Sequence, residues 1–189
     1  MFEEMAWLNE PRSWRVDGPE LTVTTGDRTD FWRETFYGFV RDDGYFYHRA
    51  VTGDFTAEVT LLGHHDTLYD QSGLMLRVDE RLWAKTGVEY TDGMAHLSAV
   101  FTRGQSDWSV LALPDYSDRL RLRLTRHGSA VRIQFLDSVG AWRMLRLGYL
   151  PLPDTCHVGV MCCSPQRVGL VARFTDFAVG DPIPRELHG

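Results

Sequence analysis

DQSGLMLRVDERLWAKTGVEYTDGMAHLSAVFTRGQSDWSV, residues 70–110, decides the fold, because its apolar residues recur at every second position between glycine-bearing turns. Asp92-Gly93 suits a type I′ hairpin turn, in which glycine takes positive φ without a Cβ clash. That turn sets a register in which Glu89 faces His96, Gly87 faces Ser98, Lys85 faces Val100 and Trp83 faces Thr102. Val88, Leu97, Thr86, Ala99, Ala84 and Phe101 then share the opposite, core face. Gly104-Gln105 suits a type II′ turn, which pairs Phe101 with Trp108 on the core side and Thr102 with Asp107 on the other. Upstream, Leu74, Leu76 and Val78 alternate with Gln71, Gly73, Met75 and Arg77, and a three-residue loop at 79–81 sets Gln71 opposite Glu89. The outward face therefore gathers Gln71, Arg77, Trp83, Lys85, Glu89, His96, Ser98, Thr102 and Asp107.

The same alternation extends outward from this core stretch, giving about a dozen strands between Leu21 and Val179 and no helical period of useful length. The fold class expected is all-β, a two-sheet antiparallel sandwich of jelly-roll type occupying residues 1–189 as one domain. A chain of 189 residues buries enough surface to need neither metal nor disulfide. The tail DPIPRELHG reads as a frayed end.

A net charge of −6 with thinly spread arginines argues against a nucleic-acid or anionic-membrane surface. The run RLRLTRHGSAVRI reads as a solvated outer strand on the same grounds. Neither a secretory leader nor a stretch approaching the ~18 apolar residues of a membrane helix is evident. Three cysteines cannot all pair within one chain, and reduced, buried thiols in a cytoplasmic protein are expected. His64-His65-Asp66 lacks the partners of a metal site and reads as a polar loop. No motif implies a cofactor.

With TDFWRETFYGF at 29–39, GVMCCSP at 159–165 and FTDFAV at 174–179, the 70–110 stretch resembles an uncharacterised family, whose members are described as domains of unknown function or as regulation-of-enolase proteins. The resemblance covers nearly the whole chain and implies a concanavalin A-like lectin/glucanase sandwich. It matches the family's recurring residues at Asp70, Gln71, Gly73, Trp83, Lys85, Gly87, Glu89, Ser106, Asp107 and Trp108. It implies no reaction.

The candidate ligand-binding residues are Gln71, Trp83, Lys85, Glu89, His96, Thr102 and Asp107. Trp83 would offer a flat apolar platform, and the charged groups beside it would orient a carbohydrate or small polar ligand. Trp32 and Arg33 could wall this cleft, whereas Trp108 is expected in the core. Glu89 and Asp107 would stand roughly 20 Å apart at ~3.3 Å per residue, too far for a glycosidase pair. The alternatives are an enzyme acting on a glycan or sugar derivative, and a regulatory protein that binds a metabolic enzyme.

Overall fold

A computed structural model describes residues 2–187, so the last two residues of the tail, 188–189, lie outside the described residues. Among the described residues there are sixteen strands and no helix. In order they are β1 (Ala6–Leu8), β2 (Ser13–Asp17), β3 (Glu20–Thr24), β4 (Phe31–Arg33), β5 (Val40–Asp42), β6 (Tyr45–Thr52), β7 (Phe55–Leu62) and β8 (Gln71–Asp79). They continue as β9 (Leu82–Thr91), β10 (Met94–Arg103), β11 (Gln105–Ala112), β12 (Arg119–His127), β13 (Ala130–Leu136), β14 (Trp142–Tyr149), β15 (Thr155–Cys163) and β16 (Val171–Gly180). Two seven-stranded antiparallel sheets stack face to face, β1-β6-β15-β8-β9-β10-β11 on β14-β13-β12-β7-β16-β3-β2. The expected sandwich is therefore present.

Alternation supplies the inter-sheet core. Leu74, Leu76, Val88, Leu97 and Phe101 from the first sheet meet Leu21, Val23, Val59, Leu61, Leu122 and Leu124 from the second, all buried. In the Arg-Leu run of β12, Leu120, Leu122 and Leu124 point into this core, while Arg119 and Arg121 are exposed. Cys162 belongs to this cluster and Cys163 to a second one on the far side of the first sheet, because neighbours on a strand face opposite ways. Cys156, Cys162 and Cys163 are all free and buried.

The second cluster was not foreseen. Phe31, Trp32, Phe46, Met75, Trp83, Val100, Met161 and Cys163 pack together on the outer face of the first sheet. The small β4-β5 hairpin, which belongs to neither large sheet, forms a roof over them. Its strands are three residues each, too short to give a legible alternation. Trp83 is consequently fully buried, 0% exposed, which corrects its expected role as a solvent-facing platform.

The Asp92-Gly93 hairpin has the expected form. Both residues have positive φ, +51° and +77°, and Glu89 pairs with His96 and Trp83 with Thr102. The next hairpin differs by one residue: Arg103 pairs with Gln105 around Gly104 alone, so Val100 pairs with Trp108 and Phe101 with Asp107. Gly104 uses its peptide elsewhere, donating N–H to Arg81 O and accepting from Arg33 Nε. A one-residue shift turns every side chain of β11 over. Trp108 therefore lies on the outer face, and Asp107 leaves that face to pair with Arg146 of β14 at 3.0 Å. The 79–81 loop is also tighter than expected, since Asp79 pairs with Leu82 across an irregularity following Arg77, yet Gln71 still pairs with Glu89.

Candidate functional site

Between the roof and the outer face of the first sheet lies a pocket of about 190 Å³. Its floor is made by β8 and β9, where Gln71, Lys85 and Glu89 project from alternate positions. Gly73 and Gly87 pair between them, and their backbones approach so closely that a Cβ on Gly73 would stand 1.9 Å from Thr86 O. Side chains are excluded there by contact with the neighbouring strand. The floor is left open between its polar groups.

Aromatic rings form the walls. Trp32, Tyr37 and Phe39 come from the roof, Tyr69 from the loop before β8, and Trp108 from β11. The Tyr37 and Tyr69 hydroxyls meet at 2.9 Å, and Tyr69 stands edge-on to Trp108 with ring centroids 6.4 Å apart. The bond to Tyr37, with burial, pushes the Tyr69 hydroxyl up to about 12. It stays protonated near neutral pH.

Three ties stand out among the polar bonds that hold the roof. Lys85 Nζ lies 3.3 Å from Asp30 Oδ1, and Arg77 grips Asp42 with two bonds of 2.7 and 2.8 Å. The third tie runs through β10 and β11: Arg33 N–H donates to Ser106 Oγ at 2.9 Å, and Ser106 Oγ lies 2.9 Å from Thr102 Oγ1. Paired, hydrogen-bonded charges of this kind are the form in which ions are retained in an interior.

The electrostatics converge on Lys85 and Glu89, both 4% exposed. Burial disfavours the Lys85 ammonium, but Asp30 and then the more distant acidic groups, Glu89 among them, hold it above its ordinary value. Burial pushes the Glu89 carboxyl up, against the pull of Lys85 and of hydrogen bonds from Ser98 and Trp108. Trp108 Nε1 donates to Glu89 Oε2 at 3.1 Å and Gln71 Nε2 to Oε1 at 3.5 Å.

Of the residues expected from sequence, Gln71, Lys85 and Glu89 line this pocket together. Trp83 lies beneath it in the second cluster, its ring centroid 5.9 Å from Lys85 Nζ. Thr102 is buried and serves the Ser106 tie, while His96 turns its Nδ1 to Met94 O at 3.2 Å; neither lines the pocket. Asp107 lies off the face, as described above, and edges only a shallower neighbouring groove. Trp32 does wall the cleft, and Arg33 is a buried roof anchor. Sequence reasoning missed Asp30, Tyr37, Phe39, Tyr69 and Trp108. The aromatic density of TDFWRETFYGF was the available signal for the roof residues, whereas Trp108 was lost to the shifted register.

The family model described as "Protein of unknown function (DUF1349)" matches residues 7–182. The chain is 41% identical over 182 residues to Regulation of enolase protein 1 of Saccharomyces cerevisiae, covering 96% of this chain and 92% of that one. A crystal structure of a functionally unknown protein from Saccharomyces cerevisiae superposes with a TM-score of 0.93 at 39% identity, over 97% of this chain and 99% of that one. The GH43 protein BlXynB from Bacillus licheniformis superposes with a TM-score of 0.73 at 15% identity, over 93% of this chain and 36% of that one. That likeness is one of fold alone, a two-sheet antiparallel sandwich. Among the described residues no helix is long and apolar enough to cross a membrane.

Proposed function

Because the chain belongs to the family of unknown function DUF1349, whose description names no reaction, we propose a function from geometry: it binds a carbohydrate or sugar-like small molecule in the roofed pocket of the first sheet. The observation that carries this reading is the combination of aromatic walls, Trp32, Tyr37, Tyr69 and Trp108, with the buried polar floor of Gln71, Lys85 and Glu89. A sugar ring has an apolar C–H face that stacks on an indole or phenol, and a hydroxyl rim that needs fixed donors and acceptors. A pocket of about 190 Å³ suits one such ring, being smaller than the ~300–1,000 Å³ of drug-sized sites. The reading takes sandwich and roof as one domain. It places the protein in the cytoplasm, where its three free thiols stay reduced.

The test is a titration with a panel of mono- and disaccharides, read by tryptophan fluorescence and calorimetry. Saturable binding that Trp108→Ala weakens at least tenfold supports the pocket. Binding by no member of the panel, or binding indifferent to this variant, rejects it. Turnover of a glycoside that Glu89→Gln abolishes with affinity retained would instead make the protein an enzyme.

A second reading has its own observation. Phe36, at the turn of the roof, is 95% exposed, with the half-exposed Tyr37 and Phe39 beside it. A large apolar side chain held in water suits a protein contact. The name of the Saccharomyces cerevisiae relative supports a regulatory protein that docks on a metabolic enzyme. Loss of enolase binding in Phe36→Ser, with pocket binding unchanged, is the result expected from it.

A further inference from the structure

The charges of the pocket do not balance. Asp30, Lys85 and Glu89 all line it, and Lys85 is committed to Asp30 at 3.3 Å. Among the described residues, Glu89 has no ion-pair partner: its oxygens accept from the neutral donors Trp108 Nε1, Gln71 Nε2 and Ser98, and the Lys85 charge acts on it from beyond ion-pair distance. Two arginines adjoin lining residues in sequence, and both are engaged elsewhere: Arg167 is held by Asp70 and Asp66, and Arg33 by Gly104 O and Glu34. One acidic group therefore stands without an ion pair of its own at the base of the chamber. The rings above it, Trp32, Tyr37, Tyr69 and Trp108, are the electron-rich types whose faces attract cations most strongly.

Resting on the pocket reading above, we infer that the ligand carries a positively charged nitrogen, and that Glu89 is its counter-ion. An amino sugar is the class that meets both demands, since its ring stacks on the walls and its ammonium reaches the floor. A neutral sugar would leave Glu89 desolvated without an ionic partner, the arrangement that buried carboxylates tolerate least. An anionic sugar would add like charge to Asp30 and Glu89 and is disfavoured.

The experiment compares D-glucosamine, N-acetyl-D-glucosamine and D-glucose on the wild-type chain and on Glu89→Gln, by calorimetry and tryptophan fluorescence. The three probes share a ring and differ at one substituent, which is cationic only in the first. The expected result is glucosamine at least tenfold tighter than either neutral sugar, with the difference abolished in Glu89→Gln and the residual affinity matching that of glucose. If glucose or the N-acetyl sugar binds as tightly as glucosamine in the wild type, the cationic inference is overturned and the pocket reading stands. A glucosamine preference that survives Glu89→Gln also overturns it, since another group would then be the counter-ion. If none of the three binds, the cationic inference is overturned, and the pocket reading is decided by the wider saccharide panel. Circular dichroism of Glu89→Gln confirms that the variant compared is folded.

Discussion

Trp108 donates its indole N–H to Glu89 across the intervening β10 strand, at 3.1 Å, and so joins a wall of the pocket to its floor. The bond exists because β11 is shifted by one residue from the register of a two-residue turn. Trp108→Phe keeps most of the ring but removes the donor, leaving the Glu89 carboxyl short of a partner. The expected cost is about 1–3 kcal/mol. In a Glu89→Gln background the same substitution should cost less, giving a coupling of at least ~0.5 kcal/mol in a double-mutant cycle by urea unfolding. Strict additivity would show that the bond does not operate in solution.

Trp83 makes the opposite case from its expected exposure. It is fully buried among Phe31, Met75 and Met161, and Trp83→Ala should cost about 3–5 kcal/mol in equilibrium unfolding. A loss below about 1 kcal/mol would mean that the roof stands open in solution.

The roof is held by a bidentate pair, Arg77 with Asp42, in which the arginine is the more buried partner. Asp42→Ala strands that guanidinium and loosens β4 and β5 from the sheet. Hydrogen exchange should accelerate at Phe31–Arg33 and Val40–Asp42 while β9 and β10 keep their protection. Equal acceleration in both places would mean that roof and sandwich open as one unit.

Acid should destabilise the fold through His65. The ring is 3% exposed, its Nε2 lies 2.9 Å from Ser72 Oγ, and burial holds it at about 4 despite the opposing pull of Asp70. The unfolded chain, with an ordinary value near 6.5, binds a proton first as pH falls. Stability is therefore full above about pH 6.5 and declines as pH falls through the window down to about 4. From this residue the loss at pH 5 is about 2 kcal/mol. His65→Gln should flatten that segment of the stability–pH curve, and an unchanged slope would assign it elsewhere.

The sandwich was legible because its strands are long and one face of each is apolar, as in Leu74-Leu76 and Val88 against Leu97. The Asp92-Gly93 turn then fixed which residues of β9 and β10 share a face. Gly104 misled because its sequence suits a two-residue turn, while Arg81 and Arg33 claim its peptide from distant parts of the chain. The site was half legible for a related reason. Gln71, Lys85 and Glu89 lie on regular strands, where parity dictates direction. Asp30, Tyr37 and Phe39 lie on a short hairpin whose position depends on Arg77 and Lys85 rather than on any local pattern.

The first sheet thus serves two interiors, one on each face. Along β9, Ala84, Thr86 and Val88 lie on the sandwich face, whereas Trp83, Lys85 and Glu89 lie on the face that the roof covers, Trp83 beneath the chamber and the other two lining it. A relative that kept the architecture but took another ligand could diverge at the odd positions and remain fixed at the even ones. The strand would then carry two interleaved evolutionary records, one of folding and one of recognition, and their substitution rates along a single stretch of ten residues would separate the two histories.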